Sequence, residues 1–346
     1  MQFVKSDVNI NFIGRRKIAF VVSAVMITIS IASLIFHGGP RLGIDFKGGT
    51  LMQVKFLAPV KIDAIKVGLQ DIKLGKSSVQ EFGDLEANEY LIRTDSSVMT
   101  TEGFTTDVKK TLASSTGIEV EMRRVDMVGP QVGQDLREKA LFAMFYALLF
   151  ITIYISGRFE LKWVISGLMA AVLIGAVYIF TLFSVSIPFL ILVALIVALV
   201  LFWFLELKYA MGAIVALVHD VTITVGLFSL FDKEFTLAII AALLTIIGYS
   251  LNDTIIVFDR IRENLRKYHK NPLEVILNRS INETLSRTIL TSLTTLFVVI
   301  TLFVLGGSII HDFAFALIVG IAVGTYSSVF VASPILLAWQ GRQRKK

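Results

Sequence analysis

Residues 235–264 read FTLAIIAALLTIIGYSLNDTIIVFDRIREN, and this stretch decides the fold. From Phe235 to Phe258 the run is apolar and long enough to cross a bilayer, whose hydrocarbon core takes about 20 residues of helix. It closes on Asp259, Arg260 and Arg262, charges that mark a membrane boundary. Inside it stand Asn252 and Asp253. An ionisable side chain in a membrane helix costs roughly 3 kcal/mol, so it persists where it faces other helices or a wet cavity.

The flanking sequence repeats the pattern. Apolar residues make up 55% of the chain, and several runs are too long for the core helices of a globular domain. Spans are predicted at 18–36, 136–156, 163–183, 187–207, 209–231, 235–258, 288–305 and 312–338. Gly14-Arg15-Arg16-Lys17 precedes the first, which is long for a signal peptide and lacks a small-x-small cleavage site, so it is read as uncleaved. Lys233 is the single basic residue in the short external turns, among them Ser184-Val185-Ser186-Ile187-Pro188. Arg and Lys crowd the opposite side, including the segment 259–286, read as a basic loop, and the tail 339–346. This asymmetry puts both termini, with residues 1–17, in the cytoplasm. The net charge of +6 is absorbed by this orientation signal rather than by nucleic acid, for which no motif appears. With no cysteine there is no disulfide or thiol chemistry, and neither a metal site, a cofactor-binding motif nor a catalytic constellation is visible.

Residues 37–135 differ in character: polar, mixed in charge and long enough for one small domain across the membrane from the N-terminus. Alternating apolar positions predict strands at 50–57, 77–83, 88–94 and 118–127, with helices at 60–72 and 101–114. The order βαββαβ is that of a ferredoxin-like α+β unit.

Other charges lie within the spans. Asp220 is about 18 Å along its helix from Lys208, near mid-bilayer, and Asp253 about 10 Å from Arg260. His219 precedes Asp220, and Arg287 opens the seventh span. Two readings stand. Asp253 and Arg287 form a buried ion pair that fixes packing, although such pairs stabilise little. Alternatively, Asp253, Arg287, Asp220, His219 and Asn252 belong to a proton path, in which a carboxylate alternates between charged and neutral forms. Gly320 and Gly324 form a small-xxx-small face in the last span, which with Gly248 suits close helix packing. Phe159-Glu160-Leu161-Lys162-Trp163 is echoed by Leu205-Glu206-Leu207-Lys208-Tyr209, by local duplication or by chance.

Several motifs carry a family resemblance. Arg41-Leu42-Gly43-Ile44-Asp45-Phe46-Lys47-Gly48-Gly49-Thr50 and Val128-Gly129-Pro130-Gln131-Val132-Gly133 resemble segments of the SecD/SecF family. Ala216-Leu217-Val218-His219-Asp220-Val221, Gly248-Tyr249-Ser250-Leu251-Asn252-Asp253-Thr254, Ser286-Arg287-Thr288 and Gly324-Thr325-Tyr326-Ser327-Ser328 are similar to its SecF branch. The resemblance covers nearly all of the chain except about 160–205. It implies an RND-superfamily subunit of the Sec translocase in the bacterial inner membrane, working with SecD, YajC and the SecYEG channel. Such a subunit uses the proton motive force to draw preproteins out on the periplasmic side. It implies that residues 37–135 are periplasmic, that Gly43, Asp45, Phe46, Gly48 and Gly49 form a periplasmic motif, and that the functional Asp and Arg are Asp253 and Arg287. It implies six spans, so 163–207 reads as an added hairpin, expected on the lipid-facing periphery. The small domain is expected to hinge at Gly38-Gly39 and Gly129-Pro130-Gln131. The rivals are a proton-driven RND exporter of small molecules or lipids and a passive scaffold for SecD.

Overall fold

A computed structural model describes residues 8–75, 77–83, 88–94, 103–182 and 185–343. The sequence-stretches 1–7, 101–102, Ser184 and 344–346, which enter the expected N-terminal segment, second domain helix, external turn and basic tail, lie outside these.

Among the described residues, eight helical segments are long and apolar enough to cross a membrane. They include α1 (Arg16–Phe36), α5 (Pro130–Glu160), α6 (Trp163–Thr181), α7 (Ile187–Phe204), α8 (Lys208–Leu230), α9 (Leu237–Lys267) and α10 (Leu273–Leu305). The eighth segment joins α11 (Gly307–Ser327) through a π-helical turn, Ser328–Ala332, to α12 (Ser333–Gln343). The short α2 (Ile44–Lys47) precedes the soluble domain, which holds α3 (Ile62–Asp71) and α4 (Phe104–Thr116).

The strands of that domain are β1 (Gly49–Phe56), β2 (Ser78–Phe82), β3 (Glu89–Thr94) and β4 (Val120–Val128), in the antiparallel order β2-β3-β1-β4. This is the expected split βαβ topology. Period-two alternation sends Met52, Val54, Phe56 and Ile92 to one face, where they are fully buried against Ile65 and Leu69 of α3 and Val108 and Leu112 of α4. Gln53, Leu91 and Arg93 take the other face.

α8, α9 and the last segment form the centre of the membrane region, with more than half of their most apolar windows buried. α1, α6, α7 and α10 lie outside them. The hairpin α6–α7 rests on α5 and α8 and leaves Leu168, Val172, Leu192, Ile196 and Val200 exposed. Its base is closed: Lys162 Nζ donates to the Leu205 carbonyl at 2.5 Å, and Glu160 Oε1 accepts from the Tyr209 amide at 2.9 Å, capping α8 across the hairpin. Phe159 stacks on Tyr209 at 5.2 Å. The two echoed sequences therefore meet in space.

Two expectations need correction. The basic segment 259–286 is not a loop: α9 runs to Lys267 and α10 starts at Leu273. Its charges keep helical spacing, as in the pairs Arg260–Glu263 and Arg279–Glu283. Asn264 joins the two helices by donating to Ser280 and Glu283. Charge marks where the hydrocarbon ends, not where the helix does. Nor is Gly129-Pro130-Gln131 a free hinge, because β4 ends at Val128 and α5 starts at Pro130, a position that proline favours. Gly48, at φ +77°, lies against this junction, and a Cβ added to Gly133 would stand 2.9 Å from the Gly48 nitrogen. Gly38 and Gly39 do take positive φ in open space.

Overpacking this contact by Gly133→Val is expected to destabilise the protein by about 2 kcal/mol. Gly129→Ala, where a Cβ meets nothing within 4 Å, is expected to be neutral. Thermal melting of the purified variants in detergent checks the contrast.

Candidate functional site

The intramembrane acids sit on the two most central helices, α8 and α9, and their surroundings differ. Asp220 is fully buried. His219 Nδ1 lies 2.8 Å from its Oδ1, while Ser250 and Ser327 donate to Oδ2 at 2.6 and 2.8 Å. His219 Nε2 reaches Ser23 Oγ at 3.1 Å, and Ser23 reaches the Tyr326 hydroxyl, which donates to the Ala19 carbonyl. The cluster thus ties α1, α8, α9 and α11 together, with both carboxylate oxygens and both ring nitrogens partnered. Gly324 against Ser250 and Gly320 against Ile246 let α11 approach α9 closely enough for it to form.

Asp253 lies about one helical turn further along α9 and is 1% exposed. Its Oδ2 has a long contact, 3.5 Å, from Ser292 of α10, whose hydroxyl is 2.7 Å from Thr325 of α11. Its Oδ1 has no partner, and neither has the buried Thr288 Oγ1, one turn from Ser292 on α10. Orphaned polar atoms in hydrocarbon cost free energy of roughly 1–3 kcal/mol each. Side chains of α10 and α11 thus bring hydroxyls toward Asp253 of α9, and one of its oxygens is left open to water or to a transferable proton.

The Asp253–Arg287 ion pair is not formed among the described residues, which corrects the packing reading. Arg287 directly precedes Thr288, and a one-residue step turns a helix by about 100°, so Thr288 faces inward and Arg287 is exposed. By the same step Asn252 is exposed while Asp253 is buried. Gly248 also needs correction as a packing residue: it is exposed, and a Cβ there would meet nothing within 4 Å. Ala241, Thr245, Gly248 and Asn252 make one exposed stripe along α9, and Arg287 and Thr294 are exposed on the adjacent α10.

The motif Gly43–Gly49 is built onto the N-terminal end of α9. Leu42 and Phe235 form a parallel bridge, with Gly43 N donating to the Phe235 carbonyl at 2.9 Å and Phe235 N to the Arg41 carbonyl at 2.7 Å. Asp45 Oδ2 accepts from the Leu237 amide at 2.8 Å, capping α9 from elsewhere in the chain. Phe46 is buried against Phe235. Sequence reasoning missed this cap, and also Ser23 and Glu160. Each is a common residue whose partner lies far along the chain, so no local spacing signals it. No group of three or more potential metal ligands occurs among the described residues.

Comparison with known proteins follows this geometry. Family models for "Protein export membrane protein SecD/SecF, C-terminal" match residues 107–198 and 173–342, and one for the "SecD/SecF GG Motif" matches 33–60. The two C-terminal matches overlap within the α6–α7 hairpin. The chain is 43% identical to the protein translocase subunit SecF of Magnetococcus marinus, over 100% of this chain and 97% of that protein. It is 41% identical to that of Calditerrivibrio nitroreducens, over 97% and 96%. Among solved structures it is similar to SecDF, a translocon-associated membrane protein from Thermus thermophilus, with a TM-score of 0.71 and 30% identity. That match covers 98% of this chain and 40% of the SecDF chain. A super-membrane-facing form of SecDF matches with a TM-score of 0.63 at 31% identity, again over 40% of its length.

The two acids are expected to respond differently to mutation. Asp220→Ala removes the acceptor of three buried partners and is expected to cost about 3 kcal/mol. Asp253→Asn is expected to change stability by less than about 1 kcal/mol, since it removes a charge that is poorly partnered. Melting temperatures of the purified variants in detergent test this, and equal losses would contradict it.

Proposed function

The chain belongs to the SecF branch of the SecD/SecF protein-export family, and from that premise we propose that it couples proton movement through Asp253 to preprotein export. As a SecF it is an accessory subunit of the Sec translocase and a multi-pass membrane protein. The proposal adds the bacterial inner membrane as its location, cytoplasmic termini, the α+β domain in the periplasm, and SecD, SecYEG and YajC as partners.

One observation carries the reading: Asp253 is buried at membrane depth with one carboxylate oxygen unpartnered. A structural acid resembles Asp220, closed by its neighbours. An acid that exchanges protons needs an open coordination position, and Asp253 has one. Arg287 supports a shared site rather than an internal pair. It is exposed on α10, the helix packed against α9, which bears an exposed stripe of small and polar residues suited to close approach of partner helices. A SecD-type partner seated there would bring its own polar groups to Arg287, and the proton site would then be completed between subunits.

The link from proton to work is α9. Its 31 residues make a rod about 46 Å long. Asp253 lies along it, and the motif Gly43–Gly49 is bonded to its external end. A change of charge at Asp253 alters the packing of α9 against α10 and α11, and the rod carries the shift to the soluble domain. A proton crossing 100 mV delivers about 2.3 kcal/mol, a modest bias that repeated cycles accumulate.

In vesicles containing the translocase and a SecD-type partner, Asp253→Asn is expected to lower proton-motive-force-dependent export at least tenfold. Arg287→Ala is expected to do the same. Unchanged export and proton uptake in both variants would leave a passive scaffold. Proton-driven efflux of small molecules by the chain without a partner would favour the exporter.

A further inference from the structure

The helix-free face of the sheet looks across a crevice of about 940 Å³ onto the external ends of the membrane helices. Gln53, Leu91 and Arg93 line its upper wall, and Phe231, Phe303 and His311 its lower wall. The soluble domain is therefore not seated on the membrane region by a continuous apolar contact. It is joined covalently at the α2–β1 and β4–α5 junctions, and the crevice lies between them and the outer sheet.

A charged contact spans the crevice. Arg93 of β3 forms an ion pair with Glu234 in the turn between α8 and α9, and their side chains are only 17% and 12% exposed. Around it, Arg41 Nε lies 3.7 Å from Glu234, Arg41 pairs with Asp232 at 2.6 Å, and Lys233 pairs with Asp312 at 2.6 Å. A mostly buried ion pair loses in desolvation much of what it gains in attraction, so it stabilises weakly while remaining specific for one arrangement. That combination suits a contact made and broken during a cycle. Its position is equally telling. Glu234 precedes the start of α9 by three residues, so any tilt or slide of that helix moves the carboxylate relative to Arg93.

We propose that Arg93–Glu234 is a latch, closing the soluble domain over the crevice in one phase of the cycle and releasing it when α9 shifts. This regulation rests on the reading of Asp253 as the proton-coupled acid. The released sheet then rises from the membrane face.

The test uses the absence of cysteine from the native chain. Arg93→Cys with Glu234→Cys, in the full chain within translocase vesicles, is bridged with a bis-maleimide whose spacer contains a reducible disulfide, to lock the latch shut. The lock is expected to lower proton-motive-force-dependent export at least tenfold, with full recovery on reduction and no change in the force-independent component. Export by the bridged protein at the rate of the reduced protein overturns the latch, as does failure of the cysteines to cross-link. A second arm needs no cross-link: Arg93→Glu is expected to impair coupling, and adding Glu234→Arg to restore it. No rescue overturns the proposal. Asp253→Asn in the same vesicles separates the two ideas. If it abolishes coupling while the locked protein works, the latch alone falls; if it exports normally, the underlying reading falls.

Discussion

A carboxylate taken out of water must be satisfied by the protein around it, and the membrane region is arranged by how two such groups are treated. Asp220 gathers donors from α8, α9 and α11, and its histidine extends the network to α1. That arrangement is closed and holds the central helices in register. Asp253 is no better exposed to water, yet one oxygen has no donor. Two acids on neighbouring helices are thus treated differently, one closed by its partners and one left open on one side.

The division depends on small residues. Gly320 and Gly324 bring α11 against α9, which places Ser327 on Asp220 and Thr325 near Ser292. The π-helical turn at Ser328–Ala332 follows directly, with Ser333 Oγ donating to the Ser328 carbonyl. At the N-terminal end of α9, Gly48 and Gly133 let the α2 turn lie against the start of α5 while Asp45 caps α9. The α+β domain and Asp253 are therefore joined through one helix rather than through a flexible linker.

Much of this is legible in the sequence, for physical reasons. Hydrocarbon demands long apolar helices, so the eight spans stand out, and alternation in a half-buried sheet made the βαββαβ order readable from positions such as Met52, Val54 and Phe56. The acids were conspicuous because charge in a span is costly. What local pattern could not give was orientation around each helix. Whether Arg287 or Thr288 is the buried one turns on a 100° step that hydropathy does not report. Helix ends were hidden for a similar reason, since α9 and α10 continue beyond the membrane on charged residues that look like a loop. Contacts such as Glu160 to Tyr209 and Asp45 to Leu237 join distant residues of ordinary type.

The central claim is that Asp253 gains and loses a proton during turnover. Infrared difference spectroscopy on vesicles containing the assembled translocase, with and without an imposed proton gradient, addresses it directly. The account predicts a carboxylic-acid carbonyl band that appears with the gradient and disappears in Asp253→Asn while persisting in Asp220→Asn. A spectrum unchanged by the gradient, or a band that survives Asp253→Asn, would contradict it.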